Sequence, residues 1–400
     1  MTKRGLSGIE NELNDAGATV CFASIIELHE ALAHDRMSDA WKKTRSTEPF
    51  LRSRSEDKFV TTVPLVSCQG PIFIENENFH QFFKEASNCS YDEMNKSAVP
   101  ADLLVVSDPK TAHSVGLIIR LPHSPLRDEQ KKAFLERYHG EIINFKNVVP
   151  HHKYEERPVK FFKSQSKPVE YEVTCGKGSL SAPKRLLEFC RQHGITIGTY
   201  LIASIAFINS KMTGDASKEL KMDVDYNLRD RFPKKLGKTT VACYIGWPSL
   251  KPEAELNETL LQTAQKASRN IKSQIENHEH HMWREIEDLW EEHEEEYQKV
   301  SYRNNGITSS INFSNVGRYP FGINYDVSKV RELYCTGHSW GAWFEYCILF
   351  QTTDRICITV SHLSTKEHNE AAQNYVEKLI EFTESPQSFA ELTLEKYMNE

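Results

Sequence analysis

The chain has 400 residues, enough for two domains of ordinary size, and its 39% hydrophobic and 10% aromatic content is that of a globular protein with real cores. A net charge of −7, with no basic cluster carrying interleaved aromatics, argues against nucleic-acid binding. No apolar run approaches the roughly eighteen residues of a membrane span, and the opening MTKRGLSGIENELNDAG lacks the apolar region of a secretory signal.

In chain order, Ile26, Leu28, Leu32 and Trp41 recur at spacings that predict a helix ending before Pro49, with extended structure from Phe50 to Arg52. Leu103 to Val106 and Val115 to Ile119 read as adjacent strands, joined by a turn whose Asp-Pro pair favours a reversal. After the second strand comes a polar turn holding His123, Ser124 and Asp128. Asp128 stands as a helix N-cap, and Phe134, Leu135, Tyr138, Ile142 and Ile143 then recur at helical spacing. From Lys146 to Lys177 the chain is polar and dotted with prolines, which predicts a crossover linker and a domain boundary near residue 175.

The second half opens with a helix over LLEFCRQHG, capped by Gly194, and a second apolar helix over TYLIASIAFINSKM. Strands are expected in KMDVDYNLRDRFP and at Val241 to Trp247. A long acidic helix is expected from about Glu253 to Lys299. Strands at Ile307 to Phe313, Trp343 to Phe350 and Ile356 to Val360 precede a closing helix over NEAAQNYVEKLIEFTE. Two halves that each mix strands with covering helices make the fold class α/β, a pair of sandwiches divided as residues 1–175 and 176–400. The nine cysteines are scattered and form no CxxC pair, the usage of a reduced cytoplasmic protein with no structural metal site.

Several histidines look like chemistry and are set aside. His151 and His152 head HHKYEER, but Pro158 follows at once and no amphipathic helix does. His29 and His34 are five apart and so diverge on a helix, and His278, His280 and His281 fall on the solvated acidic run. The glycines of TCGKG make no phosphate cradle.

The strand, turn and helix of Gly116 to Ile143 resemble the setting of the HHxxxDG motif in the CoA-dependent acyltransferase superfamily, which includes peptide-synthetase condensation domains, alcohol acetyltransferases and plant BAHD acyltransferases. Pro49 to Arg52, the helix–Gly–helix opening of the second half, NLRDR at Asn227 to Arg231 and INFSNVG at Ile311 to Gly317 are similar to further family segments. The resemblance implies two chloramphenicol-acetyltransferase-like lobes with a tunnel between them, admitting a thioester at one mouth and an acceptor at the other. It puts His123 at the motif's first histidine, Ser124 at the second, Asp128 at the aspartate and Glu129 at the glycine. Arg229 would pair with Asp128 in a structural salt bridge, and Ser314 and Asn315 would offer hydrogen bonds to substrate.

The family's general base is the second motif histidine, and a serine cannot replace it unaided, because its proton leaves only far above neutral pH. His123 can titrate near neutrality and is the available substitute, with Ser124 orienting substrate or water. One reading is therefore an enzyme moving an acyl group from a CoA or carrier thioester to a hydroxyl or amine, with acyl-CoA as cosubstrate, no bound cofactor and small molecules as partners. The other is a two-lobed binding or regulatory protein that has lost its base.

Overall fold

The computed structural model describes residues 3–5, 19–56, 59–62, 64–65, 68, 70–87, 101–108, 110, 113–121, 171–216, 220–227, 245–246, 249–276, 309–319, 322–338 and 344–400. Two six-stranded sheets dominate these residues. Strands β1 (Lys3–Gly5), β3 (Ser53–Glu56) and β4 (Phe59–Thr62) form a separate small sheet.

The first large sheet contains β2 (Thr19–Leu28), β5 (Ile72–Glu75), β6 (Asp102–Ser107) and β7 (Ser114–Leu121). The expected pair of adjacent strands is present as the antiparallel β6–β7 ladder, with Leu104 opposite Ile118. Their uninterrupted apolar runs follow from burial on both faces. Leu103 and Val105 pack with Trp41 under helix α1 (His34–Thr47), while Leu104, Val106 and Ile118 pack with Phe83 of α2 (Phe79–Ser87). The guanidinium of Arg45 stacks over the Trp41 ring at 4.6 Å and donates to the Ala101 carbonyl.

The predicted helix over Ile26 to Trp41 is corrected here. Ile26 and Leu28 belong to β2, and the helix starts only at His34. The β-branched Thr19, Val20, Ile25 and Ile26 suit a strand, and β2 is paired on both sides, by β7 and by β15 (Ser328–His338). Pro49 to Arg52 form a 3₁₀ turn before β3, where extended structure was expected.

The second large sheet holds β8 (Tyr171–Lys177), β9 (Met222–Val224), β12 (Ser249–Leu250), β13 (Ser309–Arg318), β16 (Phe344–Thr352) and β17 (Ile356–Leu363), in the order β12-β9-β13-β16-β17-β8. The last seven residues of the expected linker, Tyr171 to Lys177, are thus a strand, β8, paired antiparallel with β17. Strands β10 (Tyr226–Asn227) and β11 (Ile245–Gly246) pair with each other.

Helices α3 (Ala182–Gln192), α4 (Ile197–Thr213), α5 (Leu260–Glu276) and α6 (Lys366–Glu384) pack around one large apolar core on this sheet, and α7 (Pro386–Phe389) and α8 (Leu394–Asn399) close its edge. Gly194, just beyond α3, has φ 63°, as its expected capping role requires. Thr196 and Thr199 form a reciprocal capping box at the start of α4. That helix is apolar nearly all round because it is buried nearly all round, from Thr199 to Ile208. Helix α5 starts at Leu260 rather than near Glu253, and Glu253, Glu255 and Glu258 converge on Lys266 ahead of and within its first turns.

One topological step dominates the architecture. After β13, the chain leaves the second sheet, forms β14 (Asn324–Tyr325) and β15, and completes the first sheet in the order β14-β15-β2-β7-β6-β5. No strand between Phe313 and Trp343 was expected. Strand β15 runs antiparallel to the whole of β2, with Thr19 opposite His338 and Leu28 opposite Ser328. It also meets the second sheet: Tyr334 shares an apolar cluster with Val173 and Cys357, and Cys335 one with Cys347 and Leu349.

Candidate functional site

His123, Ser124, Asp128 and Arg229 lie outside the described residues, as does the expected helix from Asp128. The described chain stops just short of the first three. Strand β7, flanked by β2 and β6, runs to Leu121 with Ile118 fully buried. Asn227, two residues before Arg229, ends β10.

Ser314 and Asn315 are described, and both lie within β13 rather than in a loop after it. Strand alternation separates their surroundings. Ile311 and Phe313 enter the core beneath the helices, so Asn312 and Ser314 take the opposite face, the side of Cys347 on the neighbouring strand β16. Cys347 packs against Cys335 of β15, which identifies this face as the one turned toward the first sheet. Asn315 is exposed at an irregularity in the ladder, and its amide nitrogen would lie 3.3 Å from a Cβ at position 198. Gly198, in the first turn of α4, thus lets that amide approach the helix.

The structure brings Asp225 to Ser314, a partner the sequence reasoning passed over. Met222 and Val224 of β9 face the helical core, so Asp223 and Asp225 fall on the other face of the strand path. The Asp225 backbone N–H donates to the Phe313 carbonyl at 2.9 Å and extends the ladder by one residue. Its Oδ1 accepts a hydrogen bond from Nδ2 of Asn312 at 3.1 Å, and the Ser314 side chain bonds to the carboxylate as well. The Cys347 thiol in turn donates to Oδ1 of Asn312 at 3.3 Å. Burial pushes the Asp225 carboxyl up to about 6, against the bonds from Asn312 and Ser314, with the charge of Asp223 adding to the rise. The alternation of aspartates with apolar residues in MDVD is the one trace of this in the sequence.

A second polar cluster lies farther along the meeting of the sheets, around Glu332 of β15, only 4% exposed. Its Oε1 accepts from Nζ of Lys177 at 2.7 Å and from Arg355 at 3.3 Å. The Tyr334 hydroxyl donates to Oε2 at 2.7 Å, and Nε2 of His80 lies 3.4 Å from Oε2 and 3.1 Å from the same hydroxyl. Burial alone would raise this carboxyl, but the bonds from His80, Lys177 and Tyr334 and the Lys177 charge hold it down at about 2. Such a group is locked as an anion by Lys177 and Arg355 on one oxygen and by hydrogen bonding on the other, and is a latch rather than a proton carrier. Nearby, the side-chain hydroxyls of Thr336 (β15) and Ser361 (β17) bond across the same junction. Among the described residues, no group of three or more histidine, cysteine, aspartate or glutamate side chains is placed to hold a metal ion.

No known family profile and no curated protein matches this sequence. Solved structures do match, over nearly its whole length. The first condensation domain of the CDA synthetase has a TM-score of 0.65 at 12% identity, over 99% of this chain and 98% of that one. The condensation domain from the Monacolin K polyketide synthase has a TM-score of 0.63 at 11% identity, over 98% and 99%. A trichothecene 15-O-acetyltransferase from Fusarium sporotrichioides has a TM-score of 0.66 at 10% identity, over 95% of each. The chain therefore has the fold that condensation domains share with such acetyltransferases, and the α/β arrangement of two helix-covered sheets expected from the sequence is the one found.

Proposed function

We propose that this chain, built on a condensation-domain fold, is an acyltransferase acting at the junction of an N-terminal lobe (1–175) and a C-terminal lobe (176–400) that lends β15 to the first sheet. It moves an acyl group from the thioester of CoA or a carrier arm to a hydroxyl or amine. The observation that carries this reading is the polar set of Asp225, Asn312 and Ser314 on the face of β13 turned toward β15. Polar side chains held by rigid strands at the meeting of two layers suit a reaction whose rate comes chiefly from holding two reactants together, an effect worth up to about 7–11 kcal/mol.

In this reading His123 and Ser124 form the catalytic turn after β7, Asp128 and Arg229 pair to hold that turn in shape, and Ser314 and Asn315 contact the acceptor. Acyl-CoA is a cosubstrate, no cofactor is resident, and both partners are small molecules. Seven free cysteines among the described residues fit a reducing compartment, and we place the protein in the cytoplasm. No single helix among the described residues is long and apolar enough to cross a membrane.

Purified protein mixed with acyl-CoA and a panel of alcohols and amines should release free CoA thiol. Ser124→His should raise that rate by restoring an imidazole at the motif's second position. Release from neither protein would favour the second reading, a small-molecule-binding or regulatory module, to which the serine at position 124 points.

A further inference from the structure

We propose that Asp225 takes the proton from the attacking hydroxyl or amine, supplying from the second sheet the base that a serine at position 124 cannot be. The inference rests on the acyl-transfer reading and names the group that performs its proton step.

Four other sequestered carboxylates of this fold are clamped by cations. Asp102 is clamped by Arg120, with Nε donating at 2.9 Å. Glu172 is paired with Lys84, Glu332 with Lys177 and Arg355, and Asp354 with Lys329 at 3.0 Å. A cation at contact distance makes a carboxylate a poor base, because protonation would leave the cation unpaired in a dry site. Asp225 is held otherwise. Its partners are a neutral amide, Asn312, and a neutral hydroxyl, Ser314, and among the described residues no cation bonds it. Neutral donors fix the direction of the carboxylate and lower its affinity for a proton less than a contacting cation would.

The groups facing it sharpen the contrast. Asp223, on its own strand, adds negative charge. Cys335 of β15 and Cys347 of β16 face it from the other strands. Burial lifts the Cys335 thiol to about 12 and the Cys347 thiol well above its ordinary value, so both stay neutral near pH 7. These surroundings resist ionisation without suppressing it, and the resulting value of about 6 leaves a carboxylate able to accept a proton at neutral pH.

The step balances. The acceptor O–H or N–H proton passes to Asp225 as the acceptor atom bonds the thioester carbonyl carbon. The C–S bond breaks, and the departing thiolate takes the proton from the Asp225 carboxyl. Ester or amide and free thiol result, and the carboxylate is restored.

The test is the pH dependence of kcat/KM for thiol release from acyl-CoA in the wild type, Asp225→Asn and Ser314→Ala, with thermal unfolding showing that each variant is folded. The wild type should rise through one ionisation below neutral pH to a plateau. Asp225→Asn should lose about 10²–10⁴-fold and the rise itself. Ser314→Ala removes a bond that favours the charged carboxylate, so it should shift the rise to higher pH, whatever it costs the plateau through the lost acceptor contact. An Asp225→Asn protein with wild-type rate and profile overturns the inference and leaves acyl transfer standing. A slower variant that keeps the wild-type rise overturns it in favour of a structural role. Absence of thiol release from the wild type overturns both.

Discussion

Lys177, the last residue of β8, donates from Nζ to Oε1 of Glu332 at 2.7 Å, so a strand edge of the second sheet is bonded to the strand that the second half contributes to the first. Arg355 of the loop before β17 binds the same oxygen, and Tyr334 and His80 bind the other. One carboxylate thus fastens both sheets and helix α2.

That latch has an acid limit. The Glu332 carboxyl is depressed from 4.5 to about 2 in the folded state, so its contribution is fully present above about pH 4.5 and is lost as pH falls toward 2. The shift corresponds to about 3 kcal/mol. In urea unfolding, Glu332→Gln should be less stable than wild type near neutral pH, and the gap should close toward about pH 3. An equal gap at both would show that the charge contributes nothing.

A second pH dependence runs through His362, fully buried in β17. Its Nδ1–H donates to the Leu363 carbonyl at 3.0 Å, and the Thr174 hydroxyl donates to Nε2 at 3.0 Å, an arrangement for the neutral ring. Burial lowers its pKa below 6.5, outweighing the Leu363 carbonyl and Glu172. Its stabilisation is therefore present above that ordinary value and declines as pH falls below it. The difference in stability between wild type and His362→Gln should shrink between about pH 7 and pH 5; a constant difference would exclude this role.

The junction of β8 with α6 leaves no room at Gly176. A Cβ there would collide with Val376 and lie 2.6 Å from Cδ1 of Ile380. Gly176→Ala should lower stability by about 1–3 kcal/mol through overpacking. Adding Val376→Ala should recover part of that loss beyond additivity, measured as a double-mutant cycle. Strict additivity would mean the helix yields freely.

Gln351 of β16 is fully buried, and neither atom of its amide has a hydrogen-bond partner among the described residues. A buried amide without partners costs about 1–3 kcal/mol, so Gln351→Met, similar in volume, should leave the unfolding midpoint unchanged or raise it. A loss larger than about 1 kcal/mol would reveal a bond that the amide makes.

Legibility differed by element. The β6–β7 pair, the Gly194 cap and the closing helix follow from local pattern, because apolar periodicity and φ preference act over a few residues. The same logic failed over Ile26 and Leu28, whose spacing with Leu32 imitates a helix; the partners that make them strand, β7 and β15, both lie far along the chain. Strand β15 was not expected: Arg331 and Glu332 break its apolar pattern, and only in the fold do Lys177, Arg355, His80 and Tyr334 assemble around the Glu332 carboxylate. At the candidate site, the INFSNVG motif drew attention to Ser314, whereas Asp225 was only one acidic residue of a strand.

By itself the sequence determined much of the local conformation: where several segments bury an apolar face, where Gly194 caps a helix, and that two sets of strands and helices alternate along the chain. The tertiary structure alone decided which strands share a sheet and which polar groups share a site. Those choices rest on pairings between residues far apart in the chain, such as Val20 opposite Gly337 and Asp225 bonded to Asn312, whose free energy exists only once the intervening loops have closed.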